Sequence, residues 1–363
     1  MRYPVAAGAP VVVKIGTSSL TGEGPGIDPD SVRRVVANVE AGWAAGHRTV
    51  LVTSGATAAG LPALGLAERP RDLPGLQVAA SVGQGILMAL YTEAFEGAGR
   101  QAGQILLTRD VLARREQYLN ARAALGRMLE VGVVPVVNEN DTVVVDELRF
   151  GDNDRLAAIV SHLVGAGMLI LLTDTPGIYA DDPLVSSRLL SAVQHTDEVL
   201  DQLRTSQSRG LFGSGGVATK VAAARMAAWS GIPTVVASAN EPDVVTRSIA
   251  GEEVGTWVSP RSSGLSARKL WIAFGTPPEG RLTIDAGAVR ALATSGKSLL
   301  AVGVTGVDGS FGLGAAVEVM NGDELVAKGL VAMGAGDITR ALGKHTTEAG
   351  GEVIHRDDLV VLK

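Results

Sequence analysis

Lys14 closes an otherwise apolar run, Val11-Val12-Val13-Lys14-Ile15, and Gly16-Thr17-Ser18-Ser19 follows at once. An unpaired ammonium in such a stretch is costly. Either the lysine sits at a strand end and reaches water along its aliphatic stem, or it is a cation aimed at a phosphate. Gly16 and the hydroxyls behind it favour the second reading, because the backbone N–H groups of a Gly-rich turn also bind anions. Lys220 has a comparable setting. Gly210-Leu211-Phe212-Gly213-Ser214-Gly215-Gly216 leads through Val217-Ala218-Thr219 into Lys220 and an alanine-rich stretch. This is either a linker or a phosphate cradle at a helix N-terminus. It is not a Walker A loop, which needs G-K-[ST] at fixed spacing, and it lacks the preceding strand of a dinucleotide fingerprint.

Side chains of the opposite character lie between the two lysines. Asn138-Glu139-Asn140-Asp141 ends one apolar run, Thr53-Ser54-Gly55-Ala56 ends another, and Thr173-Asp174-Thr175-Pro176-Gly177 ends a third. Gly151-Asp152-Asn153-Asp154 precedes the helical stretch Arg155–Val164. That segment can be an ordinary helix cap, or its amide and carboxyl groups can hold an amino-acid substrate or orient lysines.

These clusters share one position in the fold. The apolar runs Val11–Ile15, Thr49–Val52, Gln104–Leu107, Val133–Val137, Leu169–Leu172 and Thr234–Ala237 are mostly continuous, as expected of parallel strands buried on both faces. Helical stretches separate them: Val32, Val35, Val36, Val39 and Trp43 form one apolar stripe, stopped at Gly46, and Val78–Phe95, Leu119–Leu129, Asp154–Val164 and Lys220–Trp229 form others. Alternation of this kind predicts an α/β fold with an open, doubly wound, mainly parallel sheet. In such sheets ligands bind beyond the carboxyl ends of the strands, where these polar turns gather.

After Trp257 the texture changes. Ser259–Gly264 is polar and turn-rich, and short β-like runs follow (Leu299–Val304, Ala316–Met320, Leu325–Val331, Leu359–Leu362) with one helical stretch, Ala286–Thr294. The expected division is a first domain over 8–260, a linker over 261–276 and a small β-barrel over 277–358.

Composition narrows the function classes. The 363 residues carry a net charge of −6, which gives no general attraction to nucleic acid or anionic membrane. Absence of cysteine excludes disulfides and Cys-ligated zinc, and the five histidines are too scattered to pair on a metal. No signal-peptide pattern opens the chain, and no continuous apolar run nears the about 20 residues of a membrane span. A cytoplasmic protein is expected.

Taken in order, Val12–Ser18, Val52–Ala56, Val136–Asp141, Phe150–Asp154 and Gly213–Lys220 resemble the motif set of the glutamate 5-kinases within the amino acid kinase family. The likeness runs from about residue 10 to 260, and the tail is similar to a PUA domain. The resemblance implies ATP-dependent phosphorylation of the glutamate side chain, the first step of proline biosynthesis. It places Lys14 at the transferred phosphate, with Lys220 as second cation and Asp154 holding both. Ser54, Asn138, Asp141 and Asn153 would contact glutamate. Thr173, Asp174 and the run Ser214, Gly215, Gly216, Val217, Ala218, Thr219 and Lys220 would line the nucleotide. It further implies L-proline as feedback inhibitor and a homo-oligomer; Mg²⁺, which tends to keep its waters and phosphate ligands, is expected to arrive on ATP, and no side chain is assigned to it as a ligand.

Charge supports that chemistry. A glutamate carboxylate is ionised at neutral pH, its reference pKa being about 4.3, so no general base is required. What is required is positive charge around the moving phosphoryl group. The alternatives are another carboxylate kinase of this fold, acting on acetylglutamate or aspartate, and an RNA-binding PUA protein. Asp141 argues for a substrate with a free ammonium. Residues 277–363 carry 8 Lys+Arg against 11 Asp+Glu, a balance of −3, which argues against RNA.

Overall fold

The computed structural model describes residues 2–22, 24, 26–108, 111, 114–143, 153–180, 188–195, 216–262, 264–344 and 351–362. Gly151, Asp152, Gly210–Gly213, Ser214 and Gly215 of the motifs above lie outside the described residues. The chain divides into two compact units, one built on Met1–Val111 and Arg115–Gly264, the other on Leu265–Lys363.

In the first unit strands and helices alternate: β1 (Val11–Ile15), α1 (Pro29–Ala44), β2 (Thr49–Val52), α2 (Ala56–Ala63), α3 (Leu73–Gly97), β3 (Ala102–Leu107), α4 (Arg115–Glu130), β4 (Val134–Glu139), α5 (Asn153–Val164), β5 (Met168–Thr173), β6 (Ala192–Gln194), α6 (Val217–Trp229), β7 (Thr234–Ser238), α7 (Val244–Ile249) and β8 (Thr256–Ser259). The eight strands form one sheet in the order β3-β4-β2-β1-β5-β7-β8-β6, in which only the β7–β8 pair is antiparallel. β1 is central, with β2 on one side and β5 on the other. The chain therefore reverses its winding at β1, and the crevice beyond the carboxyl ends of β1 and β5 is where an open sheet binds ligands.

Strand periodicity decides which way Lys14 points. Val11, Val13 and Ile15 share a core with Val35 and Val39 of α1 and with Leu87, Tyr91 and Phe95 of α3. Lys14, one residue out of phase, points to the other face of the sheet, the face on which α5 packs against β1. The helices are fixed at their ends by side chains placed for the purpose: Asp28 accepts from Asp30 N and Ser31 N to start α1, and Asp72 accepts from Gly75 N to start α3.

α2 and α3 meet backbone to backbone. A Cβ on Gly60 would stand 2.0 Å from the Ala79 carbonyl oxygen, and one on Gly83 would stand 1.8 Å from that of Ala56. Only glycine permits this approach. α3 spans 25 residues and contains an 18-residue window of mean hydropathy 1.4, which by length and composition meets the measure of a membrane crossing. The sequence reading found no such run, because Gln77, Ser81 and Gln84 interrupt it while alanine and glycine sustain its mean hydropathy. Here its inner residues belong to the sheet core.

The second unit has a mixed five-stranded sheet, ordered β10 (Val304–Asp308), β9 (Gly280–Ile284), β11 (Ala316–Asn321), β12 (Glu324–Leu330), β13 (Leu359–Val361), with α9 (Ala286–Ser295) and α10 (Ala335–Ala341). Two expectations change. Within 261–276, read as linker, Ala267–Leu270 forms a helical turn, α8, and Trp271–Gly275 a π-turn, with Leu270 and Ile272 fully buried. The run Leu299–Val304 is not a strand: Leu299 makes a single bridge to Ile354, Ala301–Gly303 is a 3₁₀ turn, and β10 starts only at Val304. A short apolar run does not distinguish buried turn from strand.

Candidate active site

The Lys14 ammonium lies 2.6 Å from Asp154 Oδ1, and the Lys220 ammonium lies 3.3 Å from Asp154 Oδ2. Asp154 is fully buried, Lys14 is 5% and Lys220 9% exposed. The three arrive from different elements: Lys14 from β1, Asp154 from the first turn of α5, Lys220 from the first turn of α6. Thr219 adds a third donor, its hydroxyl 2.9 Å from Asp154 Oδ2. Burial works against the charged carboxylate, but the two ammonium groups and the Lys14 and Thr219 hydrogen bonds outweigh it and hold its pKa down to about 2. Lys14 and Lys220 thus share one buried carboxylate.

α6 begins without a side-chain cap, Gly216 being in extended conformation. The N–H groups of its first turn therefore stand beside Lys220 with the positive end of the helix. Thr219 N–H is the exception, since it bonds back to Gly216 O. On the other side of the crevice, Ser19 Oγ donates to Asp174 Oδ1 at 2.6 Å and ties the turn after β1 to the turn after β5. Thr173 ends β5 directly beside it.

Next to the charged group is an amide cluster. Asn153 Nδ2 lies 2.6 Å from Thr53 O, 2.8 Å from Asn138 Oδ1 and 3.1 Å from Ser54 Oγ. The Thr53 carbonyl can only accept, so the amide nitrogen faces this way and Asn153 Oδ1 faces the opposite one. Asn153 Oδ1 is buried and has no hydrogen-bond partner among the described residues. Such an acceptor is expensive unless a ligand donates to it. Asn138 Oδ1 also accepts from Glu139 N, which turns Asn138 Nδ2 toward Gln84 Oε1 at 2.8 Å. Ser54 follows β2, where Gly55 at φ 101° lets the chain turn into α2. Asp141 opens a 3₁₀ turn immediately after β4, at the same sheet edge.

Of the residues singled out in the sequence, the structure brings Lys14, Asp154, Thr219 and Lys220 into one polar group and Ser54, Asn138 and Asn153 into another. Asn153 and Asp154, adjacent in the chain, join the two. Thr219 spends its hydroxyl on Asp154 and on Gly216 O; as a phosphate donor that side chain is already engaged. Three participants were missed: Ser19 as the partner of Asp174, and Gln84 and Tyr91 on α3. The signal for the last two was present. Ala80, Gln84, Leu87 and Tyr91 form one helical stripe, and polar groups on a buried stripe call for partners.

The amino acid kinase family model matches residues 9–238, and the PUA domain model matches residues 280–350. The chain belongs to the amino acid kinase family. Over 373 residues it is 47% identical to the glutamate 5-kinase of Frankia casuarinae, covering 100% of this chain and 99% of the relative. It is 44% identical over 375 residues to the glutamate 5-kinase of Marinomonas sp., covering 100% of both. With that of Geobacter sulfurreducens it shares 43% over 363 residues and 97% of each.

Proposed function

We propose that this chain transfers the γ-phosphoryl group of ATP to the side-chain carboxylate of L-glutamate, giving L-glutamyl 5-phosphate and ADP, the opening reaction of proline biosynthesis. Full-length similarity to named glutamate 5-kinases supports the reaction. The observation that carries the mechanism is the Lys14–Asp154–Lys220 group standing against the Asn153 amide cluster.

A carboxylate oxygen of glutamate attacks the γ-phosphorus as the bond to the bridging oxygen of ADP breaks. The nucleophile arrives ionised, so no proton moves in this step. Asp154, with a pKa held near 2 and both oxygens occupied, is a poor base and a good organiser. It keeps two ammonium groups where charge spreads over the equatorial phosphoryl oxygens. We assign Lys14 to the transferred phosphate, and Lys220 with the first turn of α6, Gly216 to Thr219, to the donor phosphates. Thr173 and Asp174 are assigned to the nucleotide. Mg²⁺ carried with ATP would add neutralisation of the phosphate oxygens to that of the two lysines.

Ser54, Asn138, Asn153 and Asp141 are assigned to glutamate. Asn153 Oδ1 awaits a donor, and Ser54 Oγ, accepting from Asn153, has its own proton free for a carboxylate. Asp141 supplies the countercharge for the α-ammonium. L-Proline shares the α-carboxylate and charged α-nitrogen, so we place its inhibition at these same groups; it should weaken as glutamate rises. Assembly into a homo-oligomer and a cytoplasmic setting, where both substrates are available, complete the reading.

The test is ADP release by purified protein with ATP, Mg²⁺ and, separately, glutamate, N-acetylglutamate, aspartate and UMP. Turnover with glutamate far above the rest is the expected result. A preference for N-acetylglutamate or aspartate would remove the substrate assignment while leaving the phosphoryl-transfer group intact.

A further inference from the structure

α3 reaches the site with two polar side chains that the chemistry above does not use. Gln84 Oε1 accepts from Asn138 Nδ2 at 2.8 Å. One stripe further along the same face, Tyr91 is fully buried, and its hydroxyl is 2.8 Å from Thr53 Oγ1. Thr53 Oγ1 is also placed to donate to Ser54 O at 3.1 Å, so the Tyr91 hydroxyl is left to donate to Thr53. Burial pushes the Tyr91 phenol well above its ordinary range, with the Thr53 bond working the other way, so it stays a donor at neutral pH.

Each bond fixes a different part of the amide cluster. Asn138 is held with its oxygen toward Asn153 from two sides, the Glu139 N–H donating to Oδ1 and Gln84 Oε1 accepting from Nδ2. With Asn138 Nδ2 held by Gln84, Oδ1 accepts from Asn153, and Asn153 Oδ1 is left pointing out of the cluster as a bare acceptor. Without Gln84 the Glu139 N–H is the remaining hold on that orientation, and the Asn138 side chain loses its tie to α3. Tyr91 acts on the neighbouring wall: it restrains the Thr53–Ser54 peptide, and with it the carbonyl and hydroxyl to which Asn153 Nδ2 also donates.

We propose that Gln84 and Tyr91 are positioning residues for the amino-acid acceptor, holding in place through Asn138 and Thr53 the groups against which the Asn153 amide is set. The assignment rests on the reading that this cluster faces glutamate. Their hydrogen bonds go to Asn138 and Thr53 and not to the lysine group, so their removal should act on the acceptor and leave the nucleotide alone.

The experiment is steady-state kinetics on Gln84→Leu, Tyr91→Phe, Asn138→Ala and the double variant Gln84→Leu/Asn138→Ala, each in the full chain. Gln84→Leu keeps size and removes the acceptor. It should raise the KM for glutamate by about 3- to 10-fold, the worth of one oriented hydrogen bond, and leave the KM for ATP within about 2-fold. Tyr91→Phe, which removes a single oxygen, should act in the same direction. In the double variant, Gln84→Leu should add nothing to Asn138→Ala, because Gln84 acts through that residue. A Gln84→Leu effect shared by both substrates, one fully additive with Asn138→Ala, or none at all in a chain that turns over glutamate normally would overturn the proposal. A wild-type chain that does not phosphorylate glutamate would instead overturn the reading of the cluster, and this assignment with it.

Discussion

Replacing Asp154 by asparagine keeps the shape of the side chain and removes the one anion between two buried ammonium groups. The lowered pKa of Asp154, about 2, gives the scale of the cost. The ordinary value is 3.8, and a difference of nearly two units corresponds to about 2 kcal/mol of stability. Because the folded pKa is depressed, that contribution is fully present above about pH 4 and is lost as pH falls through about 2. The variant at pH 7 loses more than this, since it also takes the shared anion from Lys14 and Lys220; breaking a buried charge pair in this way costs about 3–5 kcal/mol. Urea unfolding followed by tryptophan fluorescence reports it, Trp43, Trp229 and Trp257 all lying in the same unit. The gap between wild type and variant should be widest near neutral pH and narrow as pH falls through about 2, where the wild-type carboxylate takes up its proton. Catalysis should fall on the order of 10²-fold in kcat as the lysines lose their anchor. The KM for ATP should not rise, because a negative charge beside the polyphosphate has gone. A variant that unfolds within about 0.5 kcal/mol of wild type, the range of ordinary surface changes, and keeps its kcat would refute the reasoning.

Lys14→Ala and Lys220→Ala should each lower kcat by about 10²-fold or more; normal turnover in either folded variant would remove that residue from the phosphoryl-transfer group. Asp141→Asn should raise the KM for glutamate strongly and that for ATP little, and it should weaken proline inhibition in parallel; a change confined to ATP would move Asp141 to the nucleotide side. A chain ending at Gly264 contains every residue assigned here, and it should fold and release ADP with glutamate. Circular dichroism and size exclusion together with activity decide this: an inactive folded chain would give the second unit a part in catalysis, and an aggregated one a part in folding.

Much of this arrangement was legible because it rests on single residues that break a local rule. Lys14 in an apolar strand and the polar turns after Val52, Val137 and Leu172 identified both the sheet and its working edge, since a parallel sheet collects strand ends on one side. The partner of Lys14 was less visible. Asp154 reads locally as a helix cap or an orienter of lysines; the family resemblance assigned it to both lysines, and the strand's two-residue alternation, which turns Lys14 toward α5, is the physical reason they meet. Gln84 and Tyr91 were not found, because a buried stripe of mixed alanine, glutamine, leucine and tyrosine identifies an inner face without saying which neighbour it meets. The run Leu299–Val304 misled for the converse reason: its side chains are buried as a strand's would be, while its backbone turns.

The contact between α2 and α3 through Gly60 and Gly83 has a consequence for how the proposed acceptor pocket can drift during descent. α2 continues from the turn that carries Ser54, and α3 carries Gln84, so the width between these two supports is set by main-chain atoms touching, with no side chain between them to be trimmed or enlarged. A pocket gauged by side chains can be retuned one methyl at a time. This one has no such increments: the smallest available step, an alanine at either glycine, forces whole helices apart. Adaptation to a longer or shorter acceptor is therefore channelled to the loops at the strand ends, and the α2–α3 seam is the part of the pocket least free to change.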